Sequence, residues 1–250
     1  MRASGIGVAG DPESRVHRLD PRAKILGLAG ITLVGVSAPA TEWPAPAACA
    51  VALVAIAATA RVGPRVVWSR ARVVLPVVVF VAVFVPFVRG GERIDIGPLS
   101  LSEDGLETFA SVSSKAVIGT VSAILLGATT SFPEVLGGLE RLRAPRLLVL
   151  IAAFMYRYLF VIADEARRMR VALAARGYEP RHALQAAAIG RVATALFLRT
   201  YDRAERVYVA MLARGYTGAM PRLRTLAFAR ADAVFLVALA AALLPIRVAA

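Results

Sequence analysis

The sequence is poor in the residues that build disulfides, metal sites and catalytic centres. It has one cysteine, Cys49, and two histidines, His17 and His182. A lone cysteine excludes a disulfide within the chain, and the histidines share no ligand spacing, so we expect no metal site and no cofactor. The Gly-x-x-x-x-Gly-Lys-Ser/Thr pattern that binds nucleotide phosphates is absent, as are the His-Glu-x-x-His and Gly-x-Ser-x-Gly patterns. The chain is therefore predicted not to be an enzyme and not to hydrolyse ATP itself.

Polar residues are also scarce for a soluble domain. The composition is 58% hydrophobic, 19% charged and only 7% aromatic, and the mean hydropathy is +0.65. Average globular domains are less apolar than this. Apolar runs recur at lengths near the roughly 17–25 residues that a helix needs to cross a bilayer. We predict an all-α fold, a polytopic helical membrane protein with about five transmembrane helices.

The apolar runs divide the chain into four segments. Residues 1–23 form an N-terminal arm, 24–130 a membrane domain, 131–230 a coupling domain of long amphipathic helices, and 231–250 the final span with the C-terminus. The predicted spans lie at about 24–40, 45–60, 73–88, 106–128 and 231–246.

The charge distribution predicts the orientation. The chain has 30 Lys and Arg against 17 Asp and Glu, and the segment 131–230 alone contains seventeen arginines and seven acidic residues. Basic segments beside membrane spans stay on the inner side, so the N-terminus and 131–230 should be cytoplasmic in a bacterial-type plasma membrane. The spans argue against nucleic acid as the partner of this basic region. The apolar stretches 146–163 and 183–198 contain Arg157 and Arg191, and whether they enter the bilayer is open.

One ionisable residue falls inside a predicted span. Lys115 lies in the fourth span, about 10–12 Å along the helix from its outer end. An ionisable side chain at that depth is a possible intramembrane polar site. Alternatively, Lys115 faces the bundle interior or extends towards the outer interface.

A fifteen-residue sequence occurs twice in the basic segment. "DEARRMRVALAARGY" (164–178) and "DRAERVYVAMLARGY" (202–216) agree at nine positions with an offset of 38. Each copy is typical of a helix end at which Gly takes positive φ, with Arg at the tip. Asp164 with Arg168, and Asp202 with Arg206, are spaced to pair along a helix. Each tip could dock in a groove of a partner, although Arg and Gly are also common where a helix simply ends. The candidate docking residues are Ala175, Arg176, Gly177, Ala213, Arg214 and Gly215.

Four stretches carry a family resemblance. "HRLDPRAKIL" (17–26), "TTSFPEVLGGLERLRAP" (129–145), "MYRYLFVIADEARRMRVALAARGY" (155–178) and "MLARGYTG" (211–218) resemble the transmembrane T component of energy-coupling factor transporters. The EcfT/CbiQ family is the one indicated, and its cobalt-type CbiQ branch is the most similar. One departure is Ser131, where the family often has Pro after the paired threonines.

The resemblance implies a subunit of an ATP-driven importer. In that family the T component contacts two ABC-type ATPases, through its two Ala-Arg-Gly helix ends, and a membrane-embedded substrate-binding S component within the lipid. Arg176 and Arg214 match the docking arginines. The cobalt branch implies cobalt or nickel as the cargo, while related T components serve vitamins. A stand-alone secondary transporter is the alternative from a different class, with Lys115 as its possible coupling residue.

Overall fold

The computed structural model describes residues 14, 16–39, 43–74, 76, 78, 80, 93–96, 99–178, 186–218 and 228–249. In these ranges the chain forms the helices α1 (Pro21–Ser37), α2 (Pro44–Thr59) and α3 (Pro64–Ala71), followed by the strands β1 (Arg93–Ile96) and β2 (Leu99–Ser102). The helices α4 (Glu103–Thr129), α5 (Phe132–Arg141), α6 (Arg146–Ala175), α7 (Ala186–Ala213) and α8 (Arg230–Ala249) complete the order. The predicted helical membrane-protein fold is confirmed.

The chain divides into two compact units. The first contains Met1–Leu142 and Leu226–Ala250, and the second contains Arg143–Thr225. The predicted segments 1–23, 24–130, 131–230 and 231–250 describe sides of a membrane, whereas these units are defined by packing. The segment boundaries therefore stay a prediction.

The helix α1 is the centre of the first unit. It contacts α2, α4, α5 and α8. Its apolar residues Leu28 and Ile31 share a core with Leu53 of α2, Leu125 of α4 and Leu243 of α8. A glycine permits the close approach of α8, because a Cβ on Gly27 would lie 2.7 Å from Cε1 of Phe235. Because α1 packs against four other helices, it is the central element of the first unit.

A buried polar cluster joins three helix ends in the first unit. The Asp232 carboxylate accepts hydrogen bonds from the backbone N–H of Asp20 and of Ala229, both at 2.7 Å. The Lys24 ammonium donates to the carbonyl oxygens of His17 and Thr129, both at 3.0 Å. The start of α1, the end of α4 and the start of α8 therefore lie at the same end of this unit.

The short helix α5 begins at the residue that departs from the family pattern. The backbone N–H of Ser131 donates to the Glu134 carboxylate at 3.1 Å, which is one half of a capping box. Proline has no N–H and could not make this hydrogen bond. Ser131 therefore starts the helix in a way that Pro at the same position could not.

The strands β1 and β2 were not predicted. They pair antiparallel, with Ile94 opposite Leu101 and Asp95 opposite Ser100. Polar and apolar residues alternate along both strands, in "RIDI" and "LSLS", as expected for strands. Four residues per strand are too few for this alternation to stand out in the sequence.

Two helices of the described residues are long and apolar enough to cross a membrane. They are Glu107–Thr129, within α4, and Arg146–Ala175, which is α6. The first agrees with the predicted fourth span. The predicted first and second spans correspond to α1 and α2, which have 17 and 16 residues. The predicted third span, 73–88, falls largely outside the described residues, and the predicted last span falls within α8.

The second unit is built from α6 and α7. Its described residues include none that is fully buried. Large apolar side chains are exposed in a stripe along α6, at the four-residue spacing that puts them on one face. These are Leu147, Ile151, Met155 and Leu159.

Candidate functional site

The helices α6 and α7 end in the same backbone structure. In α6 the N–H of Tyr178 donates to the carbonyl of Leu173 at 3.2 Å, and that of Gly177 to Ala174 at 2.9 Å. In α7 the N–H of Tyr216 donates to Met211 at 3.0 Å, and that of Gly215 to Leu212 at 2.9 Å. This pair of hydrogen bonds defines a Schellman motif, which satisfies carbonyls at a helix C-terminus.

Each motif needs a glycine for its backbone angle. Gly177 has φ 74° and Gly215 has φ 79°, as the sequence predicted, and a Cβ at either position would meet no atom within 4 Å. Glycine is therefore needed because the backbone is left-handed at this position, and not because a side chain would lack space. The preceding arginines, Arg176 and Arg214, occupy the capping positions directly after Ala175 and Ala213.

A carboxylate of α6 bridges the two helices. Glu165 of α6 accepts from Arg199 of α7 through Oε1, at 2.8 Å, and from Arg168 of its own helix through Oε2, at 2.7 Å. The Glu165 side chain is 18% exposed, while both arginine side chains are about two-thirds exposed, at 67% and 66%. Arg168 thus donates its hydrogen bonds to Glu165. Its predicted pairing with Asp164 stays a prediction, and the opposite charges of Asp164 and Arg168 do attract each other. Glu165 and Arg199 did not emerge from the sequence as site residues.

Clefts flank the Glu165 carboxylate on both sides. One, of about 240 Å³, is lined by Val161, Arg199, Asp202 and Arg206 among others, so the predicted Asp202–Arg206 pair contributes to its wall. The other is an open groove of about 820 Å³ that includes Met169, Leu173, Arg176 and Tyr178 of α6 with Arg191 of α7. The tip arginine Arg176 therefore lines a groove whose walls contain both arginine and apolar side chains.

Comparison with known proteins places these repeated ends in a family. The sequence profile of the CbiQ family, described as "Cobalt transport protein", matches residues 12–225. The chain belongs to the CbiQ family. It is a T component of the energy-coupling factor transporters, of the CbiQ type. Both Ala-Arg-Gly ends and the joining ion pair of this T component lie within the matched range.

Individual relatives carry related names. The chain is 29% identical over 248 residues to the energy-coupling factor transporter transmembrane protein EcfT of Listeria innocua, covering 91% of each protein. It is 28% identical over 217 residues to a putative fused cobalt transport protein CbiMQ of Methanocorpusculum labreanum, covering 83% of the chain and 36% of the relative. It is also 27% identical over 243 residues to a putative ABC transporter ATP-binding protein of Bifidobacterium longum, covering 90% of the chain and 31% of that relative.

Lys115 belongs to the first unit, whereas both helix ends belong to the second. It is half-buried on α4, within the part of that helix that is long and apolar enough to cross a membrane. Its role as an intramembrane polar site stays a prediction. No group of three or more His, Cys, Asp and Glu that could hold a metal occurs among the described residues.

The buried polar residues of the first unit were not predicted from the sequence. Lys24 is 2% exposed and Asp232 is 1% exposed, although they are separated by 208 positions. A local signal existed for Asp232, which is acidic in the first turn of α8. No local signal indicated that its carboxylate would also accept from Asp20.

Proposed function

We propose that this T component is a non-catalytic coupling subunit of an ATP-driven importer. The observation that carries the proposal is the pair of matching helix ends, each presenting an arginine at a Schellman motif. A single helix end of this kind would have little meaning, because Arg and Gly are favoured at helix C-termini generally. Two ends with the same residues and the same hydrogen bonds fit two equivalent sites on a pair of ABC-type ATPases.

In this proposal Arg176 and Arg214 anchor the helix ends in the ATPases. A guanidinium has a planar fork of donors that suits carboxylates and backbone carbonyls inside a groove. Small residues in the last turn, such as Ala175 and Ala213, allow the helix to approach closely. When ATP binding draws the ATPases together, the docked helices move with them.

The exposed apolar stripe of α6 suits a contact inside the membrane, which the coupling needs in addition to the ATPase contacts. Leu147, Ile151, Met155 and Leu159 are 67, 53, 65 and 49% exposed, which is costly in water. We assign this stripe to contact with lipid or with a membrane-embedded S component. Movement of α6 would then change the tilt of that component and switch access to its substrate.

The proposed location is the plasma membrane, with several spans and a cytoplasmic N-terminus. The proposed cargo is cobalt or nickel, which agrees with the family description of cobalt transport. A vitamin importer is the alternative within the same class, because in this scheme the S component selects the substrate.

The docking claim is tested with alanine variants of the tip arginines. Arg176→Ala and Arg214→Ala should each weaken co-purification of the ATPases, and the double variant should abolish it. Removing one partner of a buried, hydrogen-bonded charge pair costs about 2–5 kcal/mol. Arg170→Ala is the matched control, since Arg170 is an exposed arginine of α6 before the tip.

A double variant that retains its ATPases and transports normally would contradict the docking claim. Uptake by this chain alone, in vesicles without any ATPase, would instead favour a secondary transporter. In that case Lys115, half-buried on α4, would be the first residue to test.

A further inference from the structure

The two helices that carry the arginine tips are not held together by an apolar core. No described residue of α6 or α7 is fully buried in the second unit. In most helix pairs, interlocking side chains decide the angle and register of the crossing. Among the described residues that constraint is weak, so a polar contact between the helices has a large influence on how they cross.

That contact is the ion pair between Glu165 and Arg199. Glu165 uses both of its carboxylate oxygens, one for Arg199 across the pair and one for Arg168 on its own helix. The Arg168 bond orients the carboxylate, because an Arg three residues later on a helix faces the same side. Glu165 is thus held in position to accept from the neighbouring helix.

In both helices the ion pair lies where the apolar part of the helix ends. In α6 it follows the apolar stretch 146–163, and in α7 it follows the apolar stretch that ends at Leu198. Beyond it, both helices become charged and end in Ala-Arg-Gly-Tyr. At about 1.5 Å per residue, Glu165 lies roughly 16 Å from Arg176, and Arg199 roughly 22 Å from Arg214. A small rotation at the ion pair would therefore displace both tips.

We propose that the Glu165–Arg199 ion pair is a positioning contact that fixes the crossing of α6 and α7, so that movement of one docked tip is transmitted to the other. The proposal rests on the proposed function, because it assumes that the tips dock to ATPases. Exposed ion pairs add little to unfolding stability, so loss of this one should loosen the crossing without unfolding the chain. Arg168 supports the contact through its hydrogen bond to Glu165 on its own helix.

The crossing itself can be measured without ATPases or substrate. Spin labels are placed at positions 171 and 209, where Val171 and Val209 are 64 and 59% exposed and are related by the 38-residue offset. The full chain carries Cys49→Ser, so that the labels are unique. We expect one narrow distance distribution in this protein and a clearly broader one after Glu165→Gln or Arg199→Gln. Glu205→Gln is the control, since it removes an exposed carboxylate of α7 and should leave the distribution narrow.

Coupling is then measured in the complex with its ATPases and S component in proteoliposomes, with Co²⁺ as the probe. Glu165→Gln should leave ATPase co-purification unchanged and raise the ATP hydrolysed per Co²⁺ taken up by about fivefold, the lower range of coupling between sites. A chemical cross-link between cysteines introduced as Glu165→Cys and Arg199→Cys should restore the ratio, because it fixes the same crossing.

The outcomes separate this inference from the proposed function. A narrow distance distribution and a normal ratio in Glu165→Gln would overturn the positioning role, even if the unaltered complex takes up Co²⁺. A cross-link that stops uptake would also overturn it, because the crossing would then have to change during transport. If the unaltered chain neither retains ATPases nor supports uptake, the proposed function fails, and the spin-label distances still decide whether the ion pair fixes the crossing.

Discussion

Arg176 and Arg214 occupy equivalent places because a glycine follows each of them. Gly177 and Gly215 turn the backbone to positive φ, and the N–H of each glycine and of the tyrosine after it then donate to carbonyls in the last turn of the helix. The arginine is left at the capping position, directly before the turn. The local sequence thus places each guanidinium at a helix tip without any contribution from tertiary packing.

Gly177→Ala should loosen the end of α6. A Cβ at this φ costs about 1–2 kcal/mol through backbone sterics alone, since no other atom is close. Hydrogen–deuterium exchange should become faster at the amides of residues 177 and 178. Gly190→Ala is the control, because Gly190 is inside α7 with equally open surroundings, and alanine is the better helix former there. Equal exchange rates before and after Gly177→Ala would show that the positive φ is not what holds this end.

Lys24 shows what sequence reasoning at the residue scale misses. It stands at the start of the first predicted span, yet its ammonium is buried and donates to the carbonyls of His17 and Thr129. A basic residue before an apolar run usually remains exposed, whereas the packing of neighbouring helices against the start of α1 removes this one from solvent.

At the element scale, α1 and α8 are tied at their starts. The Asp232 carboxylate satisfies the N–H of Ala229 at the start of α8 and the N–H of Asp20 before α1. Free N–H groups at a helix start need an acceptor, and one buried carboxylate here serves two helices. Both helices therefore begin at the same level and run in the same direction.

Asp232→Ala should destabilise the first unit markedly. It leaves two backbone N–H groups without their acceptor, at about 1–3 kcal/mol for each one that stays buried. We expect a lower apparent unfolding temperature in detergent, with partial recovery in Asp232→Asn, which keeps one acceptor oxygen. Glu205→Ala, at an exposed acidic residue, serves as the control. If Asp232→Ala unfolds at the unaltered temperature, the two hydrogen bonds do not stabilise the unit.

The helices themselves were largely predictable, because apolar runs and prolines mark them. Predicted spans at 24–40, 45–60 and 106–128 correspond to α1, α2 and α4, and Pro21 and Pro44 each stand at the first position of a helix. The strands β1 and β2 were missed because their alternation is too short. The spacing of Asp164 and Arg168 predicted a pair, and Arg168 donates a hydrogen bond to the neighbouring Glu165.

For the whole molecule, the start of α1, the end of α4 and the start of α8 constrain the membrane topology, because they are joined to one another. Residues 20, 129 and 232 meet at one end of the first unit through the contacts of Lys24 and Asp232. A chain that crosses the membrane must therefore have these three positions on one side. Arginine-rich sequence follows Thr129 and precedes Asp232, which favours the cytoplasmic side.

The orientation is tested with single cysteines in a Cys49→Ser background. Arg18→Cys should resist a membrane-impermeant maleimide in intact cells and react after permeabilisation. Trp43→Cys, before α2, should react in intact cells. Both positions are exposed in the first unit, so burial does not explain a difference between them. The reverse pattern would place the N-terminus outside and remove the proposed access of the tips to cytoplasmic ATPases.

Features that depend on a few neighbouring residues could be predicted from the sequence: apolar helices of membrane length, positive φ at Gly177 and Gly215, an arginine at each helix tip, and the family. Which charged residues meet depends instead on how the helices pack. Asp232 reaches Asp20 across 212 positions, and Glu165 reaches Arg199 across 34. A helix end is set by local backbone dihedral angles and hydrogen bonds, whereas the partner of a carboxylate among 30 basic residues depends on which helices pack together.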